Sequence, residues 1–377
     1  MKQIQINLSR FKQNSYPILI NPGLLSKIGL IISRCSSGRR KLSERQQVCI
    51  ITDRNVARFY LTKAVRSLKQ AGFSVRSIIC PAGESQKSLR TVQKIYQQLL
   101  KYRFDRSATL IALGGGVIGD LTGFIAATYL RGINFIQMPT TLLAQVDAAI
   151  GGKTAVNLPE GKNLIGAFHQ PRAVLIDPLV LKTLPQRQFK NGFAEIIKAA
   201  VIKDARLFQI LEKSALPLAL PVLIAIIART VLIKARLVEK DEREERGLRT
   251  VLNYGHTVGH ALEALGGFRR YQHGEAVSLG MTGAAQLAGR MNLVNPDFIK
   301  RQTALLQKYG LPTELPAGLK PDLIIKKLNY DKKIRYQKLR WVLPTGIGRV
   351  VVSDNVPVSF VKEVLLHKTA PLPKILS

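Results

Sequence analysis

The sequence predicts two domains of different class: an α/β domain over residues 1–178, built on a parallel sheet, and an all-α domain over residues 179–377. Three observations point there. Short apolar runs of strand length recur before residue 180 and alternate with amphipathic stretches. After it, the apolar spacing turns helical almost throughout. A hydrophobic content of 46% in 377 residues is enough for two proper cores.

The elements follow in order. Met1-Lys-Gln-Ile-Gln-Ile-Asn-Leu8 alternates like a first strand and lacks the unbroken apolar core of an export signal. Residues 35–47 are polar and basic, the composition of an exposed loop. Val48-Cys-Ile-Ile-Thr52 reads as a buried strand ending in Asp53, and further apolar runs begin at Val75, Ala108, Asn134 and Ala173. Residues 190–203, 222–240, 251–265 and 275–291 carry helical periodicity, and breaks at Gly310-Leu-Pro312 and Leu315-Pro-Ala-Gly318 separate later segments. Residues 216–227 are the most hydrophobic of all. Pro217 and Pro221 interrupt them and Arg229 closes them, short of the roughly 20 apolar residues a membrane span needs, so a buried helix is expected.

Fifty-seven Lys and Arg against 24 Asp and Glu give a net charge of +33, which suits nucleic acid, an anionic surface or acidic small molecules. The cations are scattered over both halves, aromatics are only 6%, and there is no zinc-finger spacing or RNA-recognition sequence. A basic surface tuned to anionic ligands ranks above a nucleic-acid module. Cys35, Cys49 and Cys80 have no metal-ligand spacing and build no disulfide framework, which fits a reducing compartment and hence the cytoplasm.

Two clusters carry chemistry. Ala108-Thr-Leu-Ile-Ala-Leu113 feeds Gly114-Gly-Gly-Val-Ile-Gly-Asp120, and residues 121–129 continue as a helix: strand, tight turn, helix. Without a Cβ in the way, a pyrophosphate can reach the backbone amides and the helix N-terminus beyond them. Gly114, Gly116 and Gly119 fit the dinucleotide spacing of a Rossmann-like domain, yet the acid that should close the next strand is missing from Asn134-Phe-Ile-Gln-Met138. Asp53, at the end of an earlier strand, is the substitute. The alternative is a glycine-rich turn that binds nothing.

The second cluster is histidine. Three of the five, His256, His260 and His273, fall within eighteen positions, and His256-Thr-Val-Gly-His260 puts two imidazoles on one helix face. By spacing alone both would be metal ligands, the alternative being a pair of ordinary helical histidines. Glu195 and Lys198 lie one turn apart in an apolar helix, either as a simple ion pair or as a metal ligand beside an anion-binding cation.

Read together, the chain resembles the 3-dehydroquinate synthases along nearly its whole length. The segments that carry the resemblance are Pro81-Ala-Gly-Glu84-Ser-Gln-Lys87, the glycine loop to Asp120, Tyr129-Leu-Arg131-Gly, Pro139-Thr-Thr-Leu-Leu-Ala-Gln-Val-Asp147, Gly151-Gly-Lys153-Thr-Ala-Val-Asn157 and Gly161-Lys-Asn163. They continue through Glu195-Ile-Ile-Lys198, Asp241-Glu-Arg-Glu244, Gly247-Leu-Arg249, Asn253-Tyr-Gly-His256 to Glu263, and His273-Gly-Glu-Ala-Val277.

The resemblance implies a dehydroquinate synthase-like fold and a sugar phosphate cyclase. Such an enzyme converts 3-deoxy-D-arabino-heptulosonate 7-phosphate to 3-dehydroquinate and phosphate in the shikimate pathway. It uses NAD⁺ as a recycled oxidant, phosphate elimination, hydride return and an intramolecular aldol closure, with Zn²⁺ or Co²⁺ bound. By the same analogy Glu195, His256 and His273 ligate the metal, and His260 does not. Lys153, Asn163, Arg131, His260 and one of Lys332 or Lys333 serve the substrate phosphate. Lys234 and Arg249 serve its carboxylate, with Asn253 between, and Lys198 belongs to the catalytic set. The analogy sets Asp53, Gly83, Glu84, Lys87, Gly115, Gly116, Val117, Ile118, Gly119, Asp120, Thr140, Thr141, Lys162, Val180, Leu181, Lys182 and Thr183 around NAD, with Asp147 and Lys153 between cofactor and substrate. It also implies a homodimer in which Arg131 reaches the partner's site, and no membrane.

Departures from the pattern are an extra residue in Glu244-Glu-Arg-Gly247, the pair Arg269-Arg270 before His273, and a missing glycine after Lys332-Lys333. Three alternatives stay open: a sister cyclase such as aminodehydroquinate synthase, a polyanion-binding relative with a vestigial site, and a glycerol-dehydrogenase-like enzyme that releases NADH.

Overall fold

The computed structural model describes residues 1–8, 14–35, 46–267, 270–316, 322–328, 340–366 and 369–370. The chain divides into two compact units, Met1–Phe189 with Ala219–Arg243, and Lys190–Leu218 with Glu244–Ser377. The first break therefore lies at Phe189, beyond Pro178. The chain also returns to the first unit, because the helix Leu220–Lys240 packs on the first strand, on the turn around Asp147 and on the 3-10 turn Pro178–Thr183.

In the first unit the strands are β1 (Lys2–Ile6), β2 (Tyr16–Ile20), β3 (Gln47–Asp53), β4 (Ser74–Cys80), β5 (Thr109–Gly114), β6 (Asn134–Pro139), a hairpin of β7 (Lys153–Leu158) and β8 (Gly161–Phe168), and β9 (Val174–Ile176). Seven of them form one sheet in the order β1-β2-β9-β6-β5-β3-β4, parallel except for β1 against β2. Successive residues of a strand face opposite sides. Thus Cys49, Ile51, Leu110 and Ala112 enter one core with helices α3 (Leu89–Lys101) and α4 (Gly116–Thr128). Val48, Ile50, Ile111 and Leu113 enter the other, with α1 (Ile28–Cys35) and α2 (Arg54–Gln70). With both faces covered, the strands read as unbroken apolar runs, the pattern that made them legible.

The second unit is largely helical: most of α5 (Gln186–Lys203), then α6 (Ala205–Lys213), α8 (His256–Leu265), α9 (His273–Arg290) and α10 (Pro296–Lys308), with α7 (Leu220–Lys240) belonging to the first unit. To these helices it adds an antiparallel hairpin, Trp341–Gly346 with Arg349–Ser353, turned by Gly346 and Gly348 at φ 150° and 84°. The helical run expected over residues 251–265 starts only at His256. Gly255, at φ 79°, separates it from the 3-10 turn Leu248–Asn253. The hydrophobic stretch over 216–227 enters a helix only from Leu220, with Pro221 in its first turn, where a missing N–H costs nothing. Among the described residues no helix is long and apolar enough to cross a membrane.

Helices α8 and α9 approach unusually closely, and glycine is the reason. A Cβ on Gly280 would sit 1.8 Å from the carbonyl oxygen of Gly255, and one on Gly259 3.1 Å from that of Ala276. This contact fixes the start of α8, and therefore His256, against α9, whose first residue is His273. Gly274 allows a similar approach to Asn191 of α5, whose side-chain oxygen accepts the Gly274 amide. Gly280→Ala should therefore cost about 1–3 kcal/mol through overpacking. Gly283→Ala, where a Cβ meets nothing within 4 Å, should gain about 0.5–1 kcal/mol from helix propensity. Urea denaturation of the two variants tests this, and equal midpoints would refute the packing account.

Candidate active site

In the first unit the strand order reverses between β3 and β5: the chain moves outward from β3 to β4, then crosses back to β5 and proceeds to β6 and β9. Such a reversal opens a crevice at the carboxyl ends of the two strands. Asp53 ends β3 and Gly114 ends β5, on paired strands. The glycine loop then starts α4 at Gly116, with no side chain capping its first amides. A Cβ on Gly115 would lie 3.0 Å from Thr141 Cγ2, and one on Gly119 2.9 Å from Gln137 Oε1, so the loop is tight on one side. Thr140 donates its amide to Gly114 O (2.9 Å), joining the end of β6 to the loop. Gly83, at φ 114°, faces open space where its Cβ would be. Free helix-terminal amides, a glycine cradle and an acid at the reversal fit a dinucleotide.

The remaining cofactor candidates divide. Lys87, 5% exposed, pairs with Asp120 and donates to Asn163 Oδ1. Glu84 accepts from Asn157 Nδ2 (2.7 Å), and Asn157 Oδ1 in turn accepts the Asn163 amide (3.0 Å), which holds Asn163 at φ 59°. The β7–β8 hairpin thus carries Lys153, Lys162 and Asn163 together, an element that sequence reading did not resolve. Thr183 Oγ1 lies 2.6 Å from Tyr60 Oη, and Tyr60 also donates to Val180 O, so the turn bearing exposed Lys182 is pinned to α2. The side chains of Ile118, Val180 and Leu181 are buried in the core, leaving only their backbone for a ligand. Val117 sits in the first turn of α4.

Asp147 lies in a π-helical turn, Ala144–Ala148, an irregularity frequent at functional positions. Lys234 Nζ of α7 reaches both Asp147 O (2.7 Å) and Asp147 Oδ1 (2.6 Å), one of the contacts that tie α7 to this unit. Arg131 is exposed in the turn Tyr129–Arg131, where Leu130 and Arg131 both adopt left-handed backbone at φ 50° and 66°.

In the second unit, α5, α8 and α9 bring Glu195, His256 and His273 together, one ligand atom from each within 4.8 Å of the others. Glu195 is 2% exposed, and its Oε1 lies 3.7 Å from His256 Nε2 and 3.4 Å from His273 Nε2. These are not hydrogen bonds. They are close to the roughly 3.3 Å separation that bonds of about 2.0–2.1 Å impose on tetrahedral zinc ligands. Glu195 Oε1 is also buried without a hydrogen-bond partner, so the donor set fits a divalent cation. Spacing on the helix would make His260 a ligand. It stands outside the cluster, its ring centroid 5.1 Å from that of His256, and is exposed.

Burial would raise the Glu195 carboxyl, but Lys198, paired with it at 3% exposure, and His273 hold it down at about 2. Burial drives His256 well below its ordinary value, and Lys198 adds to the effect. Burial pulls His273 down too, yet Glu195 and Glu263 outweigh it and raise it to about 9. Glu263, whose Oε2 lies 3.5 Å from His273 Nδ1, was given no role by the sequence. Its signal was an acid seven residues after His256, on the same face of an apolar helix. Arg249 is 3% exposed, with its Nε 3.1 Å from Glu244 Oε1, and Asn253 ends the same 3-10 turn in an exposed position. Lys332 and Lys333 lie outside the described residues.

The model of the 3-dehydroquinate synthase N-terminal family matches residues 77–191, and that of the C-terminal family matches residues 192–334. A 3-dehydroquinate synthase of Nostoc punctiforme is 51% identical over 367 residues, covering 96% of this chain and 98% of that protein. Among solved structures, a 2-deoxy-scyllo-inosose synthase complexed with carbaglucose-6-phosphate, NAD⁺ and Co²⁺ superposes with a TM-score of 0.84 at 29% identity, covering 97% and 100% of the two chains. The 2-epi-5-epi-valiolone synthase of Streptomyces hygroscopicus subsp. jinggangensis, with NAD⁺ and Zn²⁺ bound, gives 0.82 at 28% identity over 93% and 96%. The chain belongs to the 3-dehydroquinate synthase family.

Proposed function

We propose that the protein converts 3-deoxy-D-arabino-heptulosonate 7-phosphate to 3-dehydroquinate and phosphate, as a carbon–oxygen lyase dependent on NAD⁺ and a divalent metal. The observation that carries this reading is the buried cluster of Glu195, His256 and His273 in a chain 51% identical to a 3-dehydroquinate synthase. Glu195, His256 and His273 would hold a cation, which would supply Lewis acidity toward a substrate hydroxyl. The loop from Gly114 to Asp120, with Asp53, Thr140 and Thr141, would hold NAD⁺, which would supply a hydride acceptor.

The chain's own residues do the rest. Arg249 presents a planar fork suited to a carboxylate, and Lys234 a point charge oriented by Asp147. Lys153, Asn163, Arg131 and His260 would serve the departing phosphate, and Asn253 would serve both groups. Lys198 keeps Glu195 ionised and so keeps the metal site charged. The presence of Lys234, Arg249, Asn253 and His260 together favours a substrate with a carboxylate over the sister cyclases whose substrates lack one.

The protein acts as a homodimer, with the exposed turn at Arg131 the element that would reach a second copy. It works in the cytoplasm, a reading supported by sparse cysteine. Burial pushes Cys49 up to about 12 and Cys80 up to about 11, so neither thiol is poised to react.

Chelator-stripped protein should release phosphate from the heptulosonate phosphate only when NAD⁺ and Zn²⁺ are added together, with no lasting NADH. Net NADH from a polyol would assign it to the dehydrogenases, and silence from folded, loaded protein would overturn the reading. His256→Ala should lose one equivalent of metal and turnover while keeping the thermal transition. A fully active, metal-free variant would remove the metal from the account.

A further inference from the structure

Both histidines of the cluster present Nε2 to Glu195, and in each the other ring nitrogen faces an acceptor. His256 Nδ1 lies 3.2 Å from Tyr254 O, and His273 Nδ1 lies 3.5 Å from Glu263 Oε2. A neutral imidazole can ligate through one nitrogen only if its proton sits on the other, so an acceptor at Nδ1 selects the tautomer with Nε2 free. The two devices differ in kind: for His256 it is a backbone carbonyl, for His273 a carboxylate on the neighbouring helix.

The placement of that carboxylate is costly. Glu263 is 6% exposed within Ala261-Leu-Glu-Ala-Leu265, where a charge is retained only with partners. Resting on the metal-site reading above, we propose that Glu263 is a positioning residue: it holds Nδ1–H of His273, fixes the ring, and strengthens Nε2 as a donor to the cation. Glu263 lies seven residues beyond His256 on the same helix, and α8 packs tightly on α9 through Gly259 and Gly280. One helix therefore supplies a ligand and also orients the ligand of its neighbour. Outer-shell carboxylates of this kind are worth roughly 10–100-fold in metal affinity.

The decisive substitution is Glu263→Gln, which keeps the size and an acceptor oxygen but removes the charge. Zn²⁺ affinity is measured on the full-length protein by competition with a chromophoric chelator. The visible spectrum of the Co²⁺-loaded form reports ligand geometry, and the thermal midpoint of the metal-free form reports the fold. Glu263→Gln is expected to weaken Zn²⁺ binding about tenfold to a hundredfold. It should shift the Co²⁺ spectrum and move the metal-free midpoint little, with Glu263→Asp recovering part of the affinity. Zn²⁺ affinity within twofold of wild type and an unchanged Co²⁺ spectrum would overturn the role of Glu263 while leaving the metal site standing. Failure of the wild-type protein to bind one equivalent of metal would overturn both.

Discussion

Keeping one carboxylate ionised inside the protein is the constraint around which the second unit is organised. Glu195 is nearly inaccessible, and an unpartnered charge there would cost several kcal/mol. Lys198 meets it from the next turn of its own helix, and His256 and His273 approach from two others. Neither histidine could come so near if α8 and α9 packed at an ordinary distance. The glycines at 255, 259 and 280 are thus part of the electrostatics as much as of the packing. The result is a rigid, partly desolvated set of donors whose charge a divalent cation completes.

The first unit solves a different problem by different means. At the carboxyl edge of its parallel sheet the strand order reverses and a helix begins without a capping side chain, a setting suited to anions. Charged side chains in this unit are held in pairs: Lys87 with Asp120, Lys234 with Asp147. Pairing keeps these long side chains ordered, so a ligand need not bear the full entropy of fixing them.

Much of this was legible in the sequence, for identifiable reasons. Strands buried on both faces announce themselves as apolar runs, and so β3, β5 and β6 were visible within a residue or two. The β7–β8 hairpin was not, because its residues are half exposed and rich in glycine and polar groups. The hairpin at 341–353 escaped in the same way within a unit otherwise helical. Helical spacing placed His256 and His260 on one face, but spacing is blind to what lies opposite, and the second histidine of the cluster came from α9 and not from the helix of His256. The allegiance of α7 to the first unit rests on packing against β1 and on contacts such as Lys234 with Asp147, 87 positions apart, which no local pattern encodes.

The order of the sheet also bears on how the chain comes to exist. β9 lies between β2 and β6, so the β1–β2 hairpin has no neighbour to join until residues 174–176 have been made. Asp177 then locks the arrangement by accepting the amides of Gly23 and Leu25, the former 154 positions away. At ordinary ribosomal rates the N-terminal hairpin waits on the order of ten seconds before its sheet can close. During that interval Ile18 and Ile20, buried in the finished protein, are exposed on a ribbon with an open edge. A hairpin made early in synthesis is thus among the last parts of this sheet to be sheltered.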